Sequence, residues 1–344
     1  MKVLGIETSC DETAAAIVED GAKIISNVVH SQIDIHKAFG GVVPEVAARS
    51  HIEVILPVIA EALKKANLSG GSDLLGQIDA IAVANSPGLV GSLLIGTLTA
   101  KTLAKIKNKP LYPVDHVVSH VYANFLDNST APEFPLLALV VSGGHTQLMI
   151  FHSHDDFEVV GLTRDDAVGE AFDKVAKILG LPYPGGPSIA EAAKHGNPKK
   201  YHLPHPKLDN PLNFSFSGLK TAVLRAVQAE VGKDYTFPSS ELKELLTSSQ
   251  VSDFAASFQQ TAVEILLEKL KLAYEKYQPK SVCLAGGVSA NSLLRQHAKE
   301  AFPNIFLPSA GFSTDNAAMV AAQGYFQAQN QAPIDPNDID VKPT

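Results

Sequence analysis

Val3-Leu4-Gly5-Ile6-Glu7-Thr8-Ser9-Cys10-Asp11-Glu12-Thr13-Ala14-Ala15-Ala16-Ile17-Val18 opens the chain, and its reading decides the fold. Val3–Ile6 is an apolar run of strand length. It breaks at Glu7–Thr13, a short turn crowded with hydroxyls and carboxylates, and Ala14–Val18 resumes the apolar pattern. Lys23–Val29 adds a third run, so the segment reads as an antiparallel meander. The turn holds more polar groups than a simple hairpin requires. It is either a solvated turn or a loop whose hydroxyls and amides meet a phosphate. The pattern returns far downstream. Leu136–Val141 is a strand, Ser142-Gly143-Gly144-His145-Thr146 a turn, Gln147–Phe151 the second strand and Phe157–Leu162 the third. The two segments repeat a pattern of elements, not of residue identities.

Between and after these units the chain alternates strands with helices. Glu45–Lys65 has helical periodicity after Pro44, which suits a first helical turn. Ile78–Ala84 is a strand, and Ser86–Ser92 opens a helix to about Lys107. Leu111–Val114 is a further strand. Asn128–Phe134 is turn-rich and reads as the crossing between two halves. The second half continues with helices at Asp166–Leu179, after Tyr183–Pro187, at Gly218–Val231 and at Ser240–Tyr277. Ser281–Ala285 is a strand, and Gly286–Asn291 turns into another helix. Ser313–Asn316 caps a last helix to about Gln327. The halves are taken as residues 1–132 and 133–328, the last helix being able to pack across the cleft between them, with 329–344 a polar, proline-rich tail.

Composition limits the possibilities. The 344 residues are 45% hydrophobic and 19% charged, enough for two sizeable cores. Trp is absent and aromatics are 7%, so the cores are aliphatic. A formal net charge of −8 argues against gripping nucleic acid over the whole surface. It leaves room for a local basic patch such as Lys199, Lys200, His202, His205 and Lys207. Cys10 and Cys283 are the only cysteines, which excludes a disulfide scaffold and a thiolate zinc knuckle. No basic-then-apolar leader and no membrane-length apolar run is present, so a cytoplasmic location is expected.

Val114-Asp115-His116-Val117-Val118-Ser119-His120 carries the clearest chemical signal. Histidines four apart share one face of a helix and can reach one metal ion. The pair alone is equally consistent with a helix surface or a satisfied core pair. A peptide-cleaving zinc helix needs His-Glu-x-x-His, and Val117 stands where that glutamate belongs.

Two similar α/β halves, each opening with a strand–turn–strand, resemble the two-domain actin/Hsp70/sugar-kinase (ASKHA) architecture, in which a nucleotide lies between the halves. The motifs MKVLGIETSCDET (1–13), HKAFGGVVPEVAARSH (36–51), VVSGGHTQL (140–148), GEAFDKVAKILGLPYPGGP (169–187), FSFSGLK (214–220), LAGGVSAN (284–291) and STDNA (313–317) are similar to the TsaD family of tRNA threonylcarbamoyltransferases, formerly called O-sialoglycoprotein endopeptidases.

The resemblance implies transfer of the threonylcarbamoyl group of L-threonylcarbamoyl-AMP to the exocyclic amine of the adenosine 3′ of the anticodon, in tRNAs reading ANN codons, with release of AMP. It implies one divalent metal, Fe(II) or else Zn(II), on His116, His120 and Asp315, a set suited to either ion. Asp315 is so distant in sequence that the metal is expected between the halves. Substrate contacts are implied at Val140, Val141, Ser142, Gly143, Gly144, Asp173, Gly186 and Asn291. Backbone amides of Ser142–Gly144 would hold the phosphate, and Asp11 or Glu12 would accept the amine proton. Ala190 and Phe39 depart from the family pattern, which has Asp and Tyr there. The implied partners are tRNA, a paralogous TsaB-like subunit and a TsaE-like ATPase, with the adenylate made by a TsaC-like synthase. The competing readings are an actin-fold kinase of a small metabolite, which needs no metal triad, and a non-enzymatic scaffold resembling the paralogue, which lacks the metal histidines.

Overall fold

The structure, a computed structural model, describes residues 1–67, 73–127 and 130–343. Residues 128 and 129 of the expected crossing segment lie outside these. The chain forms two compact units: Met1–Pro132 with Ser153–Asp156 and Pro308–Thr344, and Glu133–His152 with Phe157–Leu307.

The first unit is built on strands β1 (Lys2–Glu7), β2 (Glu12–Glu19), β3 (Lys23–Ser31), β4 (Ala80–Ser86) and β5 (Leu111–Asp115), in the order β3-β2-β1-β4-β5. β1 pairs antiparallel with β2, Gly5 facing Ala16, and parallel with β4, Val3 facing Ala80. The second unit has β6 (Leu136–Val141), β7 (Thr146–Phe151), β8 (Phe157–Leu162) and β9 (Ser281–Ala285), in the order β8-β7-β6-β9. β6 is antiparallel to β7 and parallel to β9. Strands β6–β9 repeat the topology of β1–β4, with β5 an added edge strand, and a bulge recurs: the register shifts at Ile17/Val18 in the β2–β3 pair and at Leu148/Met149 in the β7–β8 pair. The duplicated unit read from the sequence is therefore a duplicated sheet.

Both faces of the first sheet are covered, which is why its strands read as continuous apolar runs. Ile55, Val58, Ile59 and Leu63 of helix Pro44–Lys65 pack with Leu4, Ile6 and Ile17. Helix Ala317–Asn330 lies against the other face so closely that a side chain on Gly5 would meet the Ala317 carbonyl at 2.2 Å. Its small residues make that approach feasible. This segment, expected in the second half, belongs to the first unit for that reason. The tail is ordered too. Ile334 pairs antiparallel with Leu111 on the edge strand β5, Lys342 N–H donates to the Asn85 carbonyl (2.9 Å), and Ile339 is buried in the core. It covers backbone that an edge strand otherwise leaves unpaired.

In the second unit Leu137, Leu139, Val141, Leu148 and Ile150 form the core with Phe172, Phe254 and Phe258. The helix expected over 240–277 is two: Ser239–Leu242 and Ser248–Tyr277. Thr247 and Gln250 form a reciprocal capping box that starts the longer helix afresh.

Candidate metal centre and substrate turns

β5 ends at Asp115, whose carboxylate accepts the Val118 N–H (3.0 Å) and starts helix His116–Tyr122. The four-residue spacing brings the His116 and His120 rings edge to face at 4.8 Å, both buried. Asn316 caps helix Ala317–Asn330 by accepting from Met319 N–H, which fixes the neighbouring Asp315. Asp315 Oδ1 lies 3.3 Å from His120 Nε2 and 3.7 Å from His116 Nε2. One ligand atom from each residue falls within 4.8 Å of the others.

Two further observations fit a divalent cation. Both nitrogens of His120 are buried and make no hydrogen bond among the described residues; Nε2 faces the Asp315 carboxylate, and a cation held there would take up that nitrogen. Glu7 Oε2 lies 2.9 Å from His116 Nδ1, with Ser9 Oγ 3.0 Å from the same nitrogen. A carboxylate accepts, so Nδ1 carries the proton and Nε2 faces Asp315, as in carboxylate–histidine–metal sites. Burial opposes a charge on His116, but the Glu7 and Asp315 carboxylates outweigh it and raise the imidazole to about 10 without a metal. The expectation of a metal joining the halves is corrected: all three residues belong to the first unit, because Pro308–Thr344 packs there.

The Thr8–Thr13 turn lies beside this group. Its carbonyls are pinned one after another: Ser9 by Leu89 N–H (2.9 Å), Cys10 by Ser92 Oγ and His51 Nε2, and Asp11 by Gln32 N–H (3.1 Å). Its hydroxyls have internal partners as well. Thr8 Oγ1 donates to the Ser92 carbonyl (2.8 Å) and Thr13 Oγ1 bonds His51 Nδ1 (2.7 Å). The idea of hydroxyls offered to a phosphate is therefore not met at Thr8 and Thr13, both fully buried. Burial, then the Asp315 and Asp11 charges, push Glu12 up to about 9. Burial first, and then Asp11 and Asp315, drive the Cys10 thiol far upward, which makes it a poor nucleophile.

In the second unit, Val140 and Val141 have fully buried side chains and can meet a ligand only through backbone at the strand end. Ser142 N–H is taken by the His145 carbonyl (2.8 Å), so it is not the phosphate donor expected. Gly143 and Gly144 are exposed, with nothing within 4 Å of where a side chain would stand. The first amides of helix Val168–Ile178 bind the turn instead: Gly169 N–H donates to Ser142 O and Glu170 N–H to Gly143 O. Phe172, packed edge to face on Phe258 at 4.9 Å, anchors that helix and so Asp173, which accepts the Gly185 N–H (2.6 Å). Gly186 has open space around it. Asn291 caps helix Ser292–Ala301 through Leu294 N–H (3.1 Å) and donates to Gln259 Oε1 (2.8 Å), which leaves little of its amide for the substrate contact expected. Gly286, at φ +85°, packs against Val141 where a Cβ would meet the carbonyl at 2.4 Å. Ala190 sits half-buried in helix Gly185–Ala193, and Phe39 is 60% exposed.

Two residues escaped sequence reading: Glu7, which orients His116, and His51, which holds the Cys10 carbonyl. Both lie in the motifs at residues 1–13 and 36–51, but nothing local says what they touch.

Twin sheets of this topology, each covered by helices, make an α/β actin/Hsp70/sugar-kinase-like fold. The (R)-2-hydroxyglutaryl-CoA dehydratase component A of Acidaminococcus fermentans superimposes with a TM-score of 0.51 over 96% of this chain and 100% of its own, at 14% identity. That likeness concerns the fold alone. The family model for tRNA N6-adenosine threonylcarbamoyltransferase, TsaD, matches residues 23–322. The enzymes so named from Thermomicrobium roseum and Syntrophomonas wolfei are 47% and 50% identical, covering 99% and 96% of this chain and 95% and 93% of their own. The chain belongs to the TsaD family of tRNA N6-adenosine threonylcarbamoyltransferases.

Proposed function

We propose that this protein transfers the threonylcarbamoyl group of L-threonylcarbamoyl-AMP to the exocyclic amine of the adenosine 3′ of the anticodon in tRNAs reading ANN codons. The amine nitrogen bonds to the carbamoyl carbon, the bond from that carbon to the phosphate oxygen breaks, AMP leaves, and the amine loses one proton. The carrying observation is the His116–His120–Asp315 group, two buried imidazoles faced by a half-buried carboxylate, in a chain of this family. A peptidase reading has no support there, since Val117 is a buried aliphatic residue in the general-base position.

His116, His120 and Asp315 would hold one Fe(II) or Zn(II), which supplies Lewis-acid polarisation and a fixed anchor for substrate oxygens. The chain's own groups do the rest. The adenosine amine is a weak nucleophile because its lone pair is delocalised into the ring, so orientation supplies much of the rate. Asp11 and Glu12 are the carboxylates available to take the amine proton; Glu12, pushed up to about 9, holds its own proton at neutral pH and has to lose it before it can accept another. The exposed amides of Gly143 and Gly144 suit the phosphate of the adenylate, with Val140, Val141, Asp173, Gly186 and Asn291 as further contacts. The target base lies in an anticodon loop, where unstacking costs less than in a duplex.

The reading brings partners: tRNA, a TsaB-like subunit, a TsaE-like ATPase and adenylate from a TsaC-like synthase, all in the cytoplasm. Ile52 and Leu56 on helix Pro44–Lys65 and Val90, Leu94 and Leu98 on helix Val90–Lys107 are exposed at four-residue spacing, an apolar surface suited to a protein subunit. In the basic segment, Lys200 faces Asp253 (3.5 Å) and His205 faces Glu264 and Glu268, whereas Lys199 and Lys207 have no ion-pair partner among the described residues and suit RNA. No helix among the described residues is long and apolar enough to cross a membrane.

The test combines the purified protein, partners, adenylate and an unmodified ANN-reading tRNA. The expected result is transfer by wild type and its loss in the His116→Ala, His120→Ala double variant. Equal rates would sink the metal role, and phosphorylation of a small metabolite without transfer would establish a kinase.

A further inference from the structure

The motif at residues 36–51 contributes no ligand to the metal group, yet its two histidines, His36 and His51, are completely buried, as is Gln32. They form one hydrogen-bonded chain. His36 Nε2 meets Gln32 Oε1 at 3.2 Å, and Gln32 Nε2 meets His51 Nδ1 and the Ala47 carbonyl, both at 3.4 Å. Thr13 Oγ1 reaches the same Nδ1 at 2.7 Å, and His51 Nε2 meets the Cys10 carbonyl at 2.9 Å.

The chemistry of the partners places every proton. The Cys10 carbonyl can only accept, so His51 Nε2 carries hydrogen. A neutral ring then leaves Nδ1 as an acceptor, and the Thr13 hydroxyl and Gln32 amide both donate to it. Gln32 Oε1 is left to accept from His36 Nε2–H, and Val43 N–H approaches His36 Nδ1 at 3.4 Å. Reversing any member strands a buried polar group. Burial also holds His51 below its ordinary value, in keeping with a neutral ring.

The far end of the chain is the peptide bond that leads into Asp11 and Glu12. His51 grips its carbonyl from helix Pro44–Lys65, while Ser92 Oγ grips it from helix Val90–Lys107 at 3.1 Å. Gln32 adds a third hold through its backbone N–H on the Asp11 carbonyl. With the peptide plane fixed, the directions in which the Asp11 and Glu12 side chains leave the turn are fixed as well. We infer that His51, locked in one neutral tautomer by Gln32 and His36, is a positioning residue that sets the orientation of the Asp11–Glu12 carboxylates. The inference rests on the role proposed above for those carboxylates.

The test compares wild type, His51→Leu and His51→Gln in the complete transfer system. It measures kcat, KM for tRNA and adenylate, melting temperature and bound metal. His51→Leu should lower kcat roughly 100-fold, the scale of a small misplacement of a reacting group. KM should change less than about threefold, and metal stoichiometry should hold, since the substitution spares His116 and His120. Glutamine can donate to the Cys10 carbonyl and accept from Thr13, so His51→Gln should recover to within about fivefold of wild type. The inference is overturned if His51→Leu keeps wild-type kcat per folded molecule, or if glutamine does no better than leucine. Should both fail to fold, Thr13→Val against Thr13→Ser decides: equal kcat overturns it, and a fall confined to valine supports it. An inactive wild type overturns the functional reading and this inference together, whereas an active wild type with an indifferent His51→Leu overturns this inference alone.

Discussion

Glu7 Oε2 sits 2.9 Å from His116 Nδ1, although 109 positions separate the two residues. Sheet order accounts for it: β1, which ends at Glu7, is separated from β5, which feeds the His116 helix, only by β4. The carboxylate fixes which nitrogen His116 turns toward Asp315. Glu7→Gln keeps the shape and an acceptor but removes the charge, so metal affinity should fall about 10- to 100-fold, the usual effect of losing such a partner. Competition against a chelator of known affinity measures this; unchanged affinity would mean that Glu7 has a folding role only.

Metal and stability should be coupled at His120. Both of its nitrogens are buried without a hydrogen bond among the described residues, Nε2 only facing the Asp315 carboxylate, so the metal-free protein carries a desolvation cost there. Adding Zn(II) at about 100 times its dissociation constant should stabilise wild type by about 2.7 kcal/mol. His120→Leu should lose that gain while the metal-free form becomes no less stable. Thermal melts with and without metal check both halves of this expectation.

Two glycine turns should respond in opposite ways. Gly286→Ala forces a side chain at φ +85° into the Val141 carbonyl and should cost about 1–3 kcal/mol or more. Gly143→Ala meets open space and should leave the melting temperature unchanged. If Gly143→Ala nonetheless slows transfer, the exposed turn works on the substrate. Equal destabilisation by the two would contradict the packing described.

Stability should decline on the acid side in a way that depends on His51. Burial lowers its folded value below 6.5, with Cys10, Glu7 and Asp11 opposing and His30 adding to the effect. Below that value the unfolded chain binds a proton that the folded ring refuses. The contribution is therefore complete above pH 6.5 and is lost as pH falls toward the folded value. Denaturant midpoints at about pH 7.5 and pH 5.5 should converge in His51→Gln relative to wild type; an unchanged spread would count against it.

The tail should matter more than its composition suggests. Ile339 is 6% exposed and packs into the first unit's core. Ile339→Ala should destabilise by about 2–5 kcal/mol, as for other buried aliphatic truncations. A change below about 0.5 kcal/mol, typical of a surface site, would show the docking to be dispensable.

What the sequence determined by itself was local. Period-two and period-3.6 hydrophobicity located the strands and most helices, and the polar turns after Ile6 and Val141 marked the repeated unit. The spacing of His116 and His120 put both on one helix face, and Asn316 could be read as a cap beside Asp315. These signals lie within a turn or two of chain, where backbone geometry links residue type to position. Its errors were of one kind. The break at Thr247 hid inside continuous helical periodicity, and the tail looked solvated because its partners, Leu111 and Asn85, lie more than two hundred residues upstream. Only the tertiary structure decided that Asp315 shares a unit with the two histidines, that Glu7 orients one of them, and that His51 grips the Cys10 carbonyl. Such contacts depend on strand order, register and the close approach of an alanine-rich helix to Gly5. These are through-space properties of the packed chain, and no local pattern of residues encodes them.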